Sequence, residues 1–550
     1  MQSFTVIMAQ IDTLVGDIDG NTQKIINVAE TSEAKGCDLI LFPELTLTGY
    51  PPEDLLLRDS LTLRINEAMD KLKQANAESQ SAWVVGLPLL NEDGKLFNSA
   101  RVLYQGDILA TYHKQKLPNY QVFDEHRYFV AGTDPVVFSL KGMRFALTIC
   151  EDVWHESPIA EAAKLGVDCI LNLNASPFHQ GKQEARLDLL SSHIENCQIP
   201  IVYTNAVGGQ DELVFDGGSI ALDANQDLKV QAPFFKEAIV SVLFHKAQDQ
   251  WLMQSGEVSA LQEPLEELWQ ALVLGVKDYV HKNGFKGALL GLSGGIDSAL
   301  TLAIAAEALG KDNVMAVMMP FKYTSQMSVE DAGIQAKRLG VQYDTIAIEP
   351  MYDAFMGALA GQFAGTGKDT TEENIQARAR GVLLMAISNK KGYLLLTTGN
   401  KSEVSVGYCT LYGDMAGGFN AIKNVPKTTV FALARFLNEK AKALGESPVI
   451  PERVIERPPS AELSPDQKDE DSLPPYEVLD EILYRYIECD QSAHTIINAG
   501  FNENEVNRVL RLVDLNEYKR RQSAIGVRIS QRDFGRDRRY PITNGWKIGK

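Results

Sequence analysis

Residues 287–300 join an apolar strand to a helix-forming stretch through Ser293-Gly294-Gly295-Ile296-Asp297-Ser298. No other segment constrains the chain so tightly, because this one has to turn sharply between a strand and a helix. Glycines at 294 and 295 reach torsions that other residues resist, so several N–H groups can converge on one anion. The N-terminus of the following helix adds the positive end of its dipole. Ser293 and Ser298 offer hydroxyls, and Asp297 offers a carboxylate suited to Mg²⁺. Such a turn is built to hold a polyphosphate. It lacks the lysine and the wider glycine spacing of a Walker loop. A ligand-free Gly-rich turn is the alternative, and the Ser, Asp and Ser at this spacing speak against it.

The rest of the second half fits that turn. Strands are expected at 314–319, 342–348 and 392–397, with helices at 328–339 and 371–390 between them. This βαβ order predicts a doubly wound parallel sheet with its ligands at the carboxyl ends of the strands. A long amphipathic helix is expected from Pro264 to about His281. Pro-rich, charged residues 448–476 read as an irregular loop or lid. The run from Ala364 to Asp369 imitates a phosphate loop, but no glycine stands five residues before Gly367 and Asp369 replaces the Ser or Thr. It reads as a surface loop.

The first half also alternates. Strands are expected at 4–10, 38–43, 82–87, 99–104, 144–150, 169–173 and 199–205, with helices at 21–35, 61–77, 158–165 and 184–196. A last strand at 237–244 closes this α/β domain, and polar residues 246–262 read as a linker. The expected domains are therefore 1–245 and 263–550.

With 550 residues and 45% hydrophobic content the chain can bury a large core. Its net charge of −19 argues against general nucleic-acid or acidic-membrane binding. An anionic ligand must then be held by local groups. Residues 519–539 hold eight Lys or Arg against two acids, which suits either a solvated face or a clamp on a phosphorylated ligand. The six cysteines form no CxxC pair or zinc spacing. The N-terminal apolar run is too short for a signal peptide, and no stretch of about 18 apolar residues occurs. The expectation is a cytoplasmic protein with reduced thiols.

Three segments of the first half carry reactive groups just past strand-like runs. Glu44 follows residues 38–43, Lys114 lies in a turn-like segment at 112–118, and Cys150 ends the run 145–150. Singly, each has a dull alternative: a helix-start acid, a surface lysine, a small buried hydrophobe. In this order, and with their local contexts, they resemble the Glu, Lys and Cys triad of the nitrilase, or carbon–nitrogen hydrolase, superfamily. Residues 123–132 resemble that family's element with a second glutamate, here Glu125. Residues 174–178 match as well. The resemblance covers residues 3–245 and implies an αββα sandwich. It assigns Glu44 as base, Lys114 rather than Lys116 as oxyanion partner, and Cys150 as nucleophile. A thiol near neutral pH is mostly protonated, so it needs such a base. The backbone N–H of Glu151 would join Lys114 at the oxyanion.

The Ser-Gly-Gly loop resembles that of ATP pyrophosphatases. With residues 319–325, 372–381, 396–403, 407–414, 457–463, 517–522 and 534–544 it resembles the NAD⁺ synthetases over residues 265–545. The resemblance implies that Gly291, Leu292, Ser293, Gly294, Gly295, Ile296, Asp297 and Ser298 hold the ATP phosphates, with Thr398 also on ATP. Asp297 and Glu403 are the implied Mg²⁺ ligands. Asn374, Glu403 and Lys519 are the implied deamido-NAD⁺ contacts, so Glu403 serves metal, dinucleotide or both. Asp414, Arg457 and Arg538 stand in conspicuous segments without an individual role.

The two halves together resemble the glutamine-dependent NAD⁺ synthetases. Glutamine would then bind beside Cys150 against Tyr120, Ser176 and Lys182. Ammonia would be channelled to deamido-NAD⁺ adenylylated by ATP, giving NAD⁺, AMP and pyrophosphate. The resemblance also implies a homo-oligomer acting on small molecules. Two other readings remain. One is a different glutamine amidotransferase on the same loop, which a substrate panel tests. The other is a non-catalytic dinucleotide-binding scaffold, which a glutaminase assay tests.

Overall fold

The structure, a computed structural model, describes residues 2–460, 462–464, 469 and 473–546. The chain divides into two compact units, Met1–Gln262 and Glu263–Lys550.

The first unit contains two mixed sheets. The seven-stranded sheet runs in spatial order Gln250–Met253, Ala238–Ala247, Ser3–Gln10, Leu39–Leu41, Ala82–Leu90, Leu96–Tyr104 and Asp107–His113. The six-stranded sheet runs Leu228–Gln231, Ile220–Leu222, Ile201–Asn205, Cys169–Asn174, Met143–Ile149 and Val137–Leu140. Pairing is parallel at the centre of each sheet and antiparallel toward the edges. Strand alternation decides how they stack. Phe4, Val6 and Met8 join Phe145, Leu147, Leu171 and Val202 between the sheets. Ile7 and Ala9 point the other way, where helices Ile18–Glu33 and Asp59–Asn76 cover them with Ile25, Ala29, Ile65 and Met69. Helices Glu156–Lys164 and Lys182–Cys197 cover the second sheet through Ile159, Leu190 and Ile194. This is the expected αββα sandwich.

The expected linker is corrected at one point. Within 246–262, Gln250–Met253 pairs antiparallel with 244–247, and Gln231 bridges Val258. Trp251 and Met253 are buried while Gln250 and Leu252 are exposed. That period of two marks a strand, but an edge strand of four residues is too short to stand out among polar neighbours.

The second unit holds five parallel strands in the order Gln342–Thr345, Val314–Met318, Ala288–Gly291, Leu394–Thr397 and Phe419–Asn420. The chain leaves Ala288–Gly291 to one side through Val314–Met318 and later takes the other side with Leu394–Thr397. The order therefore reverses at the carboxyl end of Ala288–Gly291, the switch point where such sheets bind ligands. The expected strand at 342–348 stops at Thr345, and a helix, Glu349–Leu359, follows. Helices Tyr476–Leu483, Ala493–Asn498 and Glu503–Leu515 pack together through Leu479, Ile482, Ile496, Val506 and Leu510. The irregular stretch at 448–476 contains helix Glu452–Glu456, and its positions 461, 465–468 and 470–472 lie outside the described residues. Among the described residues no helix is long and apolar enough to cross a membrane.

Candidate active sites

Cys150 follows strand Met143–Ile149 and opens the tight turn Cys150–Trp154 with φ at 42°. A left-handed backbone costs a non-glycine residue on the order of 1–3 kcal/mol, so the surroundings must impose it. Asp152 supplies the constraint. Its Oδ2 accepts from Ile149 N at 2.9 Å and from the Tyr112 hydroxyl at 2.7 Å. Its Oδ1 accepts from Gln115 N at 3.0 Å and Lys116 N at 2.8 Å. One buried carboxylate thus ties the thiol's turn to the segment that carries Lys114.

Lys114 Nζ donates to Glu44 Oε1 at 2.7 Å and to Glu125 Oε1 at 2.8 Å, with all three side chains buried. Asn98 Nδ2 also donates to Glu44 Oε1, at 2.7 Å, and Ala175 N donates to Glu44 Oε2 at 3.2 Å. The Tyr50 hydroxyl donates to Glu125 Oε1 at 2.9 Å. Gly132 brings the second-glutamate element against Lys114. Its N–H donates to Lys114 O at 2.8 Å, and a Cβ there would lie 2.3 Å from His113 O. The ammonium that meets both glutamates belongs to Lys114, whereas Lys116 gives its backbone N–H to Asp152.

Burial works against the charge on Lys114, but Glu125 and Glu44 outweigh it and hold the group well above its ordinary value. Burial pushes Glu125 up to about 7, against the pull of Lys114 and with the help of Glu44. Burial, then Glu44, raise the Cys150 thiol well above its usual range, with Lys114 opposing. The carboxylates of Glu44, Glu151 and Glu125 thus all act with burial to favour the protonated form of the Cys150 sulfur.

Around Cys150, the Tyr120 hydroxyl donates to both oxygens of Glu151 at 2.9 and 3.1 Å. Lys182 Nζ sits 4.0 Å from the centre of the Trp154 ring. Burial and then Arg186 bring Lys182 down to about 8. Ser176 N donates to Asn205 Oδ1 at 2.9 Å, and Ser176 O accepts from Arg186 at 2.9 Å. The structure thus gathers Glu44, Lys114, Glu125, Cys150, Tyr120, Ser176 and Lys182 in one region of the first unit.

In the second unit a cavity of about 650 Å³ opens at the carboxyl end of Ala288–Gly291. Gly291, Leu292, Ser293, Gly295, Ile296, Asp297, Ser298 and Thr398 line it. Gly294 has φ at 79°, and a Cβ on it would lie 2.3 Å from Ser328 O. Inside the loop, Gly295 N donates to Ser293 Oγ at 3.1 Å and Ser298 Oγ donates to Gly295 O at 3.0 Å. Helix Ile296–Leu309 begins without a side-chain cap. Its first N–H groups are therefore available to an anion.

Asp297 accepts from Asn400 Nδ2 at 2.8 Å through one oxygen and pairs with Lys427 Nζ through the other. Lys427 also lies 3.3 Å from Glu403 Oε1. Asn400 and Glu403 bond reciprocally across the first turn of helix Lys401–Val406. Burial pushes Glu403 up to about 8, opposed by Lys427 and reinforced by Asp297. Among the described residues no group of three or more His, Cys, Asp and Glu forms a metal cluster. Mg²⁺ commonly uses one or two carboxylates plus phosphate oxygens and water. Asp297 and Glu403 therefore fit a Mg²⁺ that arrives with a polyphosphate.

Asn374 and Lys519 stand behind the cavity wall. Asn374 Oδ1 accepts from Thr410 Oγ1 at 2.8 Å, and Lys519 Nζ donates to Gly407 O at 2.7 Å and Cys409 O at 2.8 Å. The segment they brace contributes Tyr408, Cys409, Gly413 and Asp414 to the lining. Burial raises Asp414 to about 6. Arg457 lines the cavity and donates to Ser328 Oγ at 2.9 Å and to Gly294 O. Arg538 is buried elsewhere, 3.6 Å from the Tyr540 ring centre. The imitation phosphate loop ends in a helix cap: Asp369 accepts from Thr371 N at 2.7 Å and opens helix Thr370–Lys391.

Residues 5–250 match the carbon-nitrogen hydrolase family model, and residues 268–523 match the NAD synthase family model. The chain is 50% identical over 547 residues to the glutamine-dependent NAD(+) synthetase of Acinetobacter baylyi, covering 100% of this chain and 99% of that protein. It belongs to the glutamine-dependent NAD(+) synthetase family. The family's Thermotoga maritima member is 44% identical over 582 residues, with both chains fully covered. The solved glutamine-dependent NAD⁺ synthetase of Acinetobacter baumannii, in complex with ADP, superposes with a TM-score of 0.80 at 48% identity over 100% of both chains. The Cytophaga hutchinsonii synthetase shares the fold, with a TM-score of 0.83 at 23% identity over 99% of this chain and 98% of that one.

Several groups in this synthetase-family chain escaped the motif reading. Lys427 is one, because a single lysine after Pro426 reads as surface. Asp152 lies two residues past Cys150, yet its reach to Gln115 and Lys116 is invisible in sequence. Arg186 pairs with Asp216 at 2.7 Å, with both side chains buried. Its signal was a charge on the buried helix face of Gln183 and Leu190. Arg380 lines the phosphate-loop cavity and is lowered to about 10 by burial.

Proposed function

We propose that the first unit hydrolyses glutamine and that the second spends ATP to amidate deamido-NAD⁺ with the ammonia released. The observation that carries this reading is the pairing of two sites on one chain: a buried Glu44–Lys114–Glu125 cluster beside Cys150, and a phosphate-loop cavity at a sheet switch point.

In the first unit Glu44 takes the proton of Cys150 as the sulfur attacks the side-chain amide of glutamine. Lys114 and the N–H of Glu151 face the oxyanion of the tetrahedral adduct. The proton held by Glu44 passes to the leaving nitrogen, and ammonia departs. Glu44 then takes a proton from water, which cleaves the glutamyl thioester to glutamate and restores the thiol. Glu125 keeps Lys114 in place. Tyr120, Ser176 and Lys182 hold the amino-acid end of glutamine, for which the lowered, partly buried Lys182 is a fitting carboxylate partner.

In the second unit the loop from Gly291 to Ser298, with Thr398, holds ATP. The carboxylate of deamido-NAD⁺ attacks the α-phosphorus, the bond to the β-phosphate oxygen breaks, and pyrophosphate leaves. Ammonia then attacks the acyl carbon of the mixed anhydride. AMP leaves, and loss of a proton gives the amide of NAD⁺. Asp297 and Glu403 would hold Mg²⁺, which screens the charge of the phosphates when bound. Asn374, Glu403 and Lys519 would contact deamido-NAD⁺, and Asn374 and Lys519 also bond to residues 407–410. The same reading takes the enzyme to be a cytoplasmic homo-oligomer.

The test is to mix the protein with glutamine, ATP, Mg²⁺ and deamido-NAD⁺. Glutamate, AMP and NAD⁺ should appear together, each dependent on the full set for its maximal rate. Glutamate without NAD⁺ under these conditions would refute the reading.

A further inference from the structure

Two helices carry the groups that Lys427 ties to Asp297. Helix Lys401–Val406 holds Glu403, and helix Lys427–Ala443 begins with Lys427. The second follows Pro426 and has no side-chain cap of its own. The first N–H groups of a helix lack intrahelical partners, and leaving them buried and unpaired costs free energy. Here the cap comes from a third element, helix Tyr476–Leu483. Its Asp480 accepts from Thr428 N at 2.9 Å and from Thr428 Oγ1 at 2.8 Å. The other carboxylate oxygen accepts from Ser402 Oγ, which in turn accepts from Lys427 N at 2.9 Å. Ser402 and Lys427 are buried. A carboxylate at this helix start also complements the dipole. One side chain thus closes the first turn of the Lys427 helix and grips the Glu403 helix at the preceding residue. Asp480 does not line the cavity itself.

We propose that Asp480 is a positioning residue for the ATP-dependent half: it fixes Lys427 Nζ between the carboxylates of Asp297 and Glu403. The proposal rests on the functional reading given above. It makes Asp480 act through two other residues, with no contact to substrate. Its loss should therefore loosen the grip on Mg·ATP more than it disturbs the fold.

The experiment uses the full chain. Asp480→Asn keeps the shape of the side chain but removes its charge and one acceptor oxygen, so the charge-assisted bonds to Thr428 and Ser402 cannot both be kept. In the ammonia-driven reaction the KM for Mg·ATP should rise about tenfold, the scale of a lost charge-assisted bond. The KM for ammonium and the basal glutaminase rate should stay at wild-type values. Thr428→Val removes the hydroxyl bond of one arm, Ser402→Ala removes the other arm, and each should raise the same KM by a smaller factor. Thr428→Ser keeps the hydroxyl and should restore wild-type behaviour. A merely structural role would lower kcat with the folded fraction and leave KM alone. An unchanged Mg·ATP KM in soluble Asp480→Asn overturns the proposal. If that variant is insoluble, an unchanged KM in both Thr428→Val and Ser402→Ala does so. A wild-type protein that makes no NAD⁺ from ammonia, ATP and deamido-NAD⁺ would overturn the functional reading instead, so the two failures are distinguishable.

Discussion

Lys114 carries one positive charge between two buried carboxylates, and that imbalance sets the behaviour of the first site. Glu125 absorbs it: burial raises its folded value from 4.5 to about 7. Between those limits the folded state binds more protons than the unfolded one. The stability gained by keeping Glu125 neutral is therefore complete below about 4.5 and is lost as pH rises through about 7, with about 3 kcal/mol as an upper bound. Glu125→Gln removes the titration. Its melting temperature relative to wild type should rise between pH 5 and pH 8; a constant difference across that range would contradict the shift. Cys150 supports a second prediction. Cys150→Ala should lower glutamine-driven NAD⁺ formation by at least about 10³-fold, because no other group supplies the thioester. Ammonia-driven formation should persist, since the phosphate-loop cavity keeps all its groups. Glutamine-dependent synthesis in this variant would show that the nucleophile lies elsewhere. Glu44, Lys114, Glu125 and Cys150 were legible because each has its own local context of strand end or turn. Lys427 was not, because its bond to Asp297 spans 130 positions and nothing local announces it.

Among the elements, the phosphate loop was legible and several strands were not, for related reasons. The loop's conformation is demanded locally by adjacent glycines between an apolar strand and a helix. Central strands such as Ser3–Gln10 and Cys169–Asn174 are buried on both faces and show as apolar runs. Ile220–Leu222, Val137–Leu140 and Gln250–Met253 are three or four residues long, and only their partners reveal them. Residues 246–262 read as a linker for the same reason. Gly294 gives the element-scale prediction. At φ 79° it faces the backbone of Ser328, and a Cβ would meet Ser328 O at 2.3 Å and Ser328 Cα at 2.8 Å. Backbone atoms cannot swing aside as a side chain can, so Gly294→Ala must move the loop. NAD⁺ formation from glutamine and from ammonia should fall together, by about 10²-fold or more, through lost phosphate positioning. Basal glutaminase should survive in the same preparation. Normal ammonia-driven synthesis would show that the loop does not hold the nucleotide.

For the whole molecule, the question is how a strongly acidic chain makes an anion-rich reaction run on a scarce neutral nucleophile. Net charge is −19, so polyanionic substrates are held by local cations rather than by the overall field. Lys427, Arg380 and Arg457 line the phosphate-loop cavity. Ammonia poses the harder problem. Near pH 7 it is mostly ammonium, which cannot attack the anhydride, and release into bulk water would both protonate and dilute it. The two half-reactions lie on separate units of one chain, which favours delivery of the ammonia without mixing with the solvent pool. Keeping it neutral and near the anhydride is a gain in proximity and water exclusion. Two outcomes are expected. Glutaminase turnover should rise when ATP and deamido-NAD⁺ occupy the second unit, since release would otherwise waste glutamine. With amide-¹⁵N glutamine and an excess of unlabelled ammonium near pH 7, the amide nitrogen of NAD⁺ should carry label far above the free-pool ratio. Mass spectrometry of the product reads that ratio directly. Label diluted in proportion to the ammonium added would mean that ammonia equilibrates with solvent before it reacts, and delivery between the sites would be refuted.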